Sequence, residues 1–304
     1  MRRCLQLASY GKGFVAPNPL VGSVIVHQDK IIGEGFHRKW GEAHAEVNAI
    51  RSVSDEKLLR ESTLYVNLEP CSYYGKTPPC AELIIEKQIP KVVIGMQDPF
   101  PSVAGKGIKM LKEAGVEVIN GVLENECVRL NRRFVCFIRN QRPYVVLKWA
   151  QSSDGFIDRI RTVGGDENAV KFSTDFTQML VHKLRAEESA IVVGKHTEEL
   201  DQPSLTVRYW AGKNPERIRL NSHEPLKEQL HNLYNNGIQS LIVEGGTVLL
   251  NAFIEKNLWD EARVEIANIQ LTEGIKAPVL EGKPENVRAC ENSILFYSNG
   301  KSIS

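Results

Sequence analysis

The chain has 304 residues, longer than one hydrophobic core usually serves, so two domains are expected. Its 38 lysines and arginines nearly balance 37 acidic residues; the formal net charge of +1 gives no basic field for collecting nucleic acid and favours a small-molecule substrate. Six cysteines at this length do not make a disulfide framework, and no stretch is apolar enough to span a membrane, so a cytoplasmic protein is expected.

The first half of the chain alternates strands and helices with short connections, which predicts a three-layer α/β/α domain. The basic N-terminus predicts an amphipathic helix rather than a signal peptide, and a hairpin is expected around Gln28 and Asp29. The expected elements that follow are helices at 44–51, 80–87, 107–114 and 123–139, and strands at 63–68, 91–95 and 116–120. Pro143 ends the last helix, which predicts domains 1–141 and 142–304.

The second half predicts another α/β unit. Strands are expected at 144–147, 190–193, 240–243 and 261–267, and helices at 175–186, 226–235 and 247–256. Neither a Rossmann glycine motif nor a Walker P-loop occurs, so the pattern alone does not name a ligand for this unit.

The chemistry of the first half centres on His44-Ala45-Glu46, followed by Pro70-Cys71 and Cys80. One imidazole and two thiolates can hold Zn²⁺ tetrahedrally and leave the fourth position for a water whose pKa the metal lowers. Glu46 is not needed as a ligand and is placed to carry a proton from that water to a leaving amine. These are the parts of a zinc-dependent nucleobase deaminase.

Two other readings of these residues stay open. In the first, the two cysteines and the histidine are buried core residues without a metal. In the second, they form a closed structural zinc site, which would need a fourth protein ligand, and the sequence offers no candidate nearby. The spacing also departs from the general deaminase signature, in which two residues separate the cysteines, since 72–79 separate them here.

This departure points to a family. The segment 69–80, Glu-Pro-Cys-Ser-Tyr-Tyr-Gly-Lys-Thr-Pro-Pro-Cys, closely resembles the zinc motif of the bifunctional riboflavin-biosynthesis deaminase/reductases. The other matching motifs are 17–22 (PNPLVG), 96–99 (MQDP), 103–107 (VAGKG), 148–155 (KWAQSSDG), 184–187 (LRAE), 203–208 (PSLTVR) and 243–246 (VEGG). The resemblance implies a cytidine-deaminase-like domain that binds zinc, a dihydrofolate-reductase-like domain that binds NADPH, and a homo-oligomer.

The resemblance also implies the two reactions. The first domain would deaminate 2,5-diamino-6-(5-phosphoribosylamino)pyrimidin-4(3H)-one, and the second would reduce the ribosyl group of 5-amino-6-(5-phosphoribosylamino)uracil to ribityl. An alternative reading is a nucleotide or nucleic-acid deaminase with a degenerate second domain, against which the balanced charge argues. A regulatory protein with structural zinc is a further alternative, and the presence of Glu46 argues against it.

Site residues follow from the family match position by position. In the first domain, Asn18 and His37 match positions that hold the pyrimidine, and Lys76 matches a position for the substrate phosphate. In the second domain, the positions that match cofactor contacts are Gln151, Ser173, Thr197, Asp201 and Gly246, and those that match substrate contacts are Arg185, Leu205, Arg208 and Glu244. Lys148 matches the family in a role that stays open, and Asp201 is the candidate proton donor.

The second domain departs from the family after Leu220. The family has a further run of strand and loop there, whereas Asn221 enters the next helix almost at once. Either this domain is genuinely compact or the sequence omits a stretch of chain, and the difference bears on cofactor binding but not on the deaminase site.

Overall fold

The computed structural model describes residues 1–74, 78–162, 165 and 167–300. It divides into two compact units, Met1–Asn140 and Gln141–Ser304, one residue before the division predicted from the sequence. Each unit has its own sheet and its own core. No helix in the described part of the chain is both long enough and apolar enough to cross a bilayer.

The first unit is built on a mixed sheet. Its strands in chain order are β1 (Gly22–His27), β2 (Lys30–Phe36), β3 (Thr63–Leu68), β4 (Lys91–Met96) and β5 (Glu117–Ile119). Among the described residues the order is β2-β1-β3-β4-β5, with β1 antiparallel to both neighbours and β3, β4 and β5 parallel. Gln28 and Asp29 close the predicted hairpin with positive φ angles of 45° and 61°.

Helices cover both faces of this sheet. They are α1 (Arg2–Ser9), α2 (Ala45–Arg51), α3 (Cys80–Glu86), α4 (Lys106–Glu113), α5 (Glu124–Leu130) and α6 (Arg132–Asn140), with a 3₁₀ helix at Glu56–Glu61. Ile50, Ile84 and Leu111 bring α2, α3 and α4 onto one core, while Cys127 and Val135 bring α5 and α6 onto a second cluster that Leu5 of α1 joins. The three layers expected from the sequence are present.

The long helix predicted for 123–139 is wrong in one respect, because it is broken at Asn131. The Asn131 side chain accepts a hydrogen bond from the Leu20 N–H (2.8 Å) and donates to the Leu20 carbonyl (3.0 Å). A side chain that satisfies backbone groups elsewhere in the fold can end a helix where apolar periodicity continues. The result is two short helices, α5 and α6, rather than one.

The second unit is built on a larger sheet. Its strands are β6 (Tyr144–Gln151), β7 (Phe156–Asp158), β8 (Ala190–Val192), β9 (Glu216–Ile218), β10 (Ser240–Glu244), β11 (Glu261–Ile266), β12 (Ile275–Lys276), β13 (Asn286–Ala289) and β14 (Ser293–Ser298). In the described ranges the main sheet runs β13-β14-β11-β6-β10-β8-β9, and β7 pairs with β12. The strands from β11 to β9 are parallel.

The helices of this unit are α7 (Asp175–Glu187), α8 (Lys195–Asp201), α9 (Leu226–Asn235) and α10 (Thr247–Glu255). Leu230 of α9 and Phe253 of α10 pack with Leu147 and Val243 of the two central strands in one buried core. Helix α8 and strands β7, β9, β12, β13 and β14 were not predicted from the sequence.

The connection after Leu220 is short in the structure as well. The Gln229 side chain accepts a hydrogen bond from the Asn221 N–H (2.8 Å) and donates to the Asn221 and Glu224 carbonyls (2.9 and 3.0 Å). These bonds satisfy the turn between β9 and α9, so the described chain passes compactly from one to the other.

Candidate zinc centre and nucleotide cleft

Three element ends bring the predicted zinc ligands together. His44 is the residue immediately before α2, Cys71 follows the carboxyl end of β3, and Cys80 is the first residue of α3. Parallel β strands place their carboxyl ends at one edge of a sheet, where loops and helix starts meet, and this is a frequent location for ligand sites.

The geometry fits a zinc ion. The His44 Nδ1 atom lies 3.6 Å from Cys71 Sγ and 3.3 Å from Cys80 Sγ, and all three donor atoms lie within 4.8 Å of one another. Tetrahedral zinc with Zn–N and Zn–S bonds of about 2.1 and 2.3 Å puts such donors about 3.6 Å apart. Three protein ligands, rather than four, are typical of a catalytic zinc site.

The two cysteines are electrostatically coupled. Hydrogen bonding to the Cys80 side chain, followed by that to His44, lowers the pKa of the Cys71 thiol to about 4, and the Cys80 backbone N–H donates to Cys71 Sγ at 3.3 Å. The same contact raises the pKa of Cys80, because one proton is shared between two sulfurs. A metal ion displaces such protons when it binds.

Glu46 lies beside the ligands but is outside the ligand group. It is in the first turn of α2, is only 3% exposed, and lines the same small cavity as His44 and Cys71. Burial, with the Cys71 sulfur nearby, raises its pKa to about 7. A carboxyl group that titrates near neutral pH is well matched to taking up and releasing a proton during catalysis.

Asn18 and His37 line the same cavity, whose volume is about 140 Å³, and the His37 ring packs edge-on against that of His44 with 5.6 Å between centroids. His37 Nδ1 lies 3.1 Å from the Ala43 carbonyl, which can only accept, so Nδ1 donates and Nε2 accepts from the Asn18 amide at 3.1 Å. Burial lowers the pKa of His37, which favours the neutral ring. Lys76 lies outside the described residues.

The cleft of the second unit is larger, about 610 Å³, and lies at the carboxyl ends of β6, β8 and β10. It is lined by four of the five predicted cofactor residues, Ser173, Thr197, Asp201 and Gly246, and by all four predicted substrate residues, Arg185, Leu205, Arg208 and Glu244. Gln151 is not among the lining residues: its side chain accepts a hydrogen bond from the Trp149 indole at 2.8 Å.

A buried charge pair forms one wall of this cleft. Arg185 donates two hydrogen bonds to the Glu244 carboxylate, at 2.9 and 2.8 Å, and Lys148 Nζ lies 4.0 Å from the same group. Burial alone would raise the pKa of Glu244, but Lys148 and Arg185 outweigh it and hold the pKa below its usual value. Glu244 is therefore ionised at neutral pH.

Two predicted residues have partners within the protein. Ser173 donates a hydrogen bond to Glu265 at 2.6 Å, and Asp201 forms an ion pair with Arg161 at 2.8 Å. Arg161 also binds Asp158, which lines the cleft too. The structure thus gives Asp201 a structural contact besides the chemical role considered for it.

The chain is similar to known proteins over both units. Residues 1–96 match the cytidine and deoxycytidylate deaminase zinc-binding region, and residues 143–227 and 223–289 match the RibD C-terminal domain. The riboflavin biosynthesis protein RibD of Aquifex aeolicus is 35% identical, over 97% of this chain and 92% of that protein. That of Bacillus amyloliquefaciens is 37% identical, over 92% and 86%. The chain belongs to the RibD family.

A solved structure supports the same conclusion. The diaminohydroxyphosphoribosylaminopyrimidine deaminase/5-amino-6-(5-phosphoribosylamino)uracil reductase of Thermotoga maritima is 33% identical, with a TM-score of 0.86 over 97% of this chain and 96% of that one. The Synechocystis RibD is 46% identical over 72% of this chain, and that match spans 58% of the relative. As a member of the RibD family, the chain combines a deaminase zinc-binding domain with a RibD C-terminal reductase domain, and the expected fold class is confirmed.

The RibD C-terminal match falls in two pieces that overlap at 223–227. The overlap covers the end of the connection between β9 and α9 and the first two residues of α9, so the match is divided where the sequence departs from the family. The cleft-lining residues on both sides of this division fall within the matched ranges.

Several residues that line the zinc cavity and the cleft of the second unit were not assigned from the sequence. Tyr73, Asp98 and Phe134 line the zinc cavity, and burial raises the pKa of Asp98. Asp98 lies in the matching motif 96–99, so that motif was the available signal. His182 lines the second cleft, and its Nδ1 accepts the Arg208 N–H at 2.6 Å and the Tyr209 N–H at 3.3 Å. No sequence pattern marked it.

Proposed function

We propose that this chain deaminates 2,5-diamino-6-(5-phosphoribosylamino)pyrimidin-4(3H)-one and then reduces the ribosyl group of 5-amino-6-(5-phosphoribosylamino)uracil to ribityl with NADPH. The observation that carries the proposal is the buried Glu46 carboxyl beside the His44, Cys71 and Cys80 cluster in a chain of the RibD family. The names of both reactions in the Thermotoga maritima relative support the choice of substrates.

For the deamination, His44, Cys71 and Cys80 would hold zinc, and the bound ion would supply a coordinated water of lowered pKa. Glu46 accepts a proton and delivers it to the exocyclic amine, so that the nitrogen departs as ammonia. The neutral His37 ring and the Asn18 amide, joined by their hydrogen bond, line the same cavity and are proposed to present polar groups to the pyrimidine. Lys76 is proposed for the phosphate on sequence grounds.

For the reduction, NADPH supplies hydride when it is bound, and the protein orients the two partners. The cleft has a suitable size. At its lining residue Gly245 two backbone segments approach closely, since a Cβ added there would lie 3.1 Å from the Gly194 N atom. Gly246 precedes the first turn of α10, where free N–H groups favour a phosphate. Thr197, Ser173 and Asp201 line the same cleft, whereas support for Gln151 comes from sequence alone.

The substrate side of the cleft carries the basic groups. Arg208 lies in the exposed loop after Leu205, where its guanidinium donates to the Thr206 hydroxyl at 3.1 Å and also contacts Ser204. An arginine backed by two hydroxyl groups suits a phosphate ester. Arg185, Lys148 and Glu244 form a preorganised charge cluster at the strand ends, and the proposal places the sugar of the substrate against it.

A zinc-ligand substitution tests this proposal. Cys80→Ser is expected to lose zinc and ammonia release, but to keep NADPH oxidation when the deaminated pyrimidine is supplied, because the second unit has its own core. Cys290→Ser, which changes an exposed thiol of the second unit, is the matched control and should leave both activities intact. Ammonia release by Cys80→Ser at the wild-type rate would contradict the proposal. The homo-oligomer, the cytoplasmic location and the absence of nucleic-acid and membrane partners stay predictions.

A further inference from the structure

Glu69 is a buried carboxylate with an unusual set of partners. It is 5% exposed and lies between the end of β3 and the ligand Cys71. Its Oε2 atom accepts the N–H groups of Asp98 (3.2 Å) and Gly105 (2.9 Å), and its Oε1 atom accepts those of Gly107 (2.9 Å) and Ile108 (3.3 Å). All four donors are backbone groups of 98–108, far from Glu69 in the sequence.

These donors include the first turn of α4. A helix start leaves N–H groups without partners inside the helix, and a local Ser, Thr, Asp or Asn side chain usually satisfies one of them. The residue before α4 is Gly105, which has no side chain and adopts a φ of 77°. Glu69 therefore caps α4 from the loop that follows β3, and its negative charge complements the positive end of the helix dipole.

The backbone around this contact is tightly packed. A Cβ on Gly107 would lie 2.0 Å from the Pro70 carbonyl oxygen, and the Glu69 N–H donates to the Met96 carbonyl at 2.9 Å. The end of β3, the loop to Cys71, the end of β4 and the start of α4 therefore meet at one carboxylate. Cys71 on one side of this junction, Asp98 on the other and Glu69 itself line the zinc cavity.

We propose that Glu69 is a positioning residue of the deaminase site: it fixes the segment 97–108, and with it Asp98, against the loop that carries Cys71. The expected effect of Glu69 on the rate of ammonia release rests on the deamination proposed above. Its effect on the conformation of 97–108 does not. Although Glu69 lines the cavity, four backbone N–H groups occupy both of its oxygens, so it acts through the backbone that it binds.

Glu69→Gln tests this with little change in shape. Its amide NH₂ must face two of the four N–H donors, so half of the contacts become unfavourable. We expect hydrogen exchange, followed by mass spectrometry on the full-length zinc protein, to speed up in 97–108 while β3 keeps its protection. Zinc content is expected to be retained, and kcat/KM for ammonia release is expected to fall about 10- to 100-fold, the usual loss for a group that orients a metal site from outside. NADPH oxidation should not change when the deaminated pyrimidine is supplied.

Glu117→Gln is the matched control, because it removes an exposed carboxylate from β5 of the same unit, and it should alter neither readout. A purely structural cap predicts a different outcome for Glu69→Gln: a lower Tm, with kcat and KM unchanged at temperatures where the protein is folded. That outcome would overturn the proposal.

The wild type provides an arm that does not depend on the variant folding. The amides of Gly105, Gly107 and Ile108 should exchange as slowly as the strands of the unit, and exchange at the rate of exposed loops would also overturn the proposal. A wild-type protein that releases no ammonia would refute the proposed deamination, and the exchange measurements alone would then decide whether Glu69 holds the segment.

Discussion

Replacing Arg185 with methionine is expected to destabilise the second unit by about 3 kcal/mol, because it leaves the buried Glu244 carboxylate without its main ion-pair partner. The Arg185 and Glu244 side chains are 11% and 12% exposed and share two hydrogen bonds. Removing one partner of a buried pair typically costs about 3–5 kcal/mol. The low end applies to Arg185→Met, since Lys148 at 4.0 Å still faces the carboxylate. Glu244→Gln should approach the high end, because it leaves two cations together.

Urea unfolding followed by tryptophan fluorescence measures this loss. Three of the four tryptophans, Trp149, Trp210 and Trp259, belong to the second unit, so the signal reports mainly on it. Arg219→Met is the matched control. Arg219 forms an ion pair with Glu198 but its side chain is 84% exposed, so this variant should lower the free energy of unfolding by less than about 1 kcal/mol. A loss for Arg185→Met no larger than that of the control would refute the reasoning.

Three further outcomes are expected. Glu46→Gln should keep zinc, measured by elemental analysis, yet lose ammonia release by about 10²- to 10⁴-fold, the usual contribution of a proton-transfer group; near-normal turnover would contradict the role of Glu46. His182→Asn, whose Oδ1 can replace Nδ1 as acceptor for the Arg208 N–H, should keep a substrate KM for reduction near that of the wild type, whereas His182→Leu should raise it; equal values would argue against this contact. Burial, then Arg185 and Arg208, lower the pKa of His182 below 6.5, so the unfolded chain takes up this proton first as the pH falls. The stability contributed by neutral His182 is therefore complete above pH 6.5 and is lost below it, and urea titrations between pH 5 and 7 should show a weaker pH dependence in His182→Asn.

The zinc site could be predicted from the sequence because its signal is local. His44 and Glu46 are two residues apart, and the donors Cys71 and Cys80 lie at the end of a strand and the start of a helix that periodicity and Pro79 already indicate. Metal chemistry restricts which residue types can occur together in this way. The elements with clear periodicity, such as α9 and β4, were predicted to within a residue for the same reason.

Contacts through space were beyond the sequence. Nothing in the pattern of 123–139 shows that Asn131 binds the backbone of Leu20, so the helix was predicted too long. The four N–H groups on Glu69 and the imidazole of His182 under the Arg208 loop likewise join segments that are distant in the chain. Short edge strands carry too few residues for a period of two to be visible, which explains why β9 was missed.

The residues of the second cleft show the limit of carrying roles over from a family. Thr197 and Gly246 lie together in the cleft, as the family match implies. Gln151 belongs to a matching motif but does not line the cleft, and its side chain accepts a hydrogen bond from the Trp149 indole. Sequence similarity identifies the strand on which a residue lies, whereas the direction and partners of its side chain depend on packing.

The most direct test of the account follows ammonia release and NADPH absorbance together during anaerobic incubation of the zinc-loaded protein with 2,5-diamino-6-(5-phosphoribosylamino)pyrimidin-4(3H)-one. Ammonia is expected first and then NADPH oxidation, both from the same polypeptide. Glu46→Gln should block both signals, and adding the deaminated pyrimidine should then restore NADPH oxidation alone. Ammonia without NADPH oxidation would contradict the role proposed for the second unit, and the absence of both signals would contradict the proposed function as a whole.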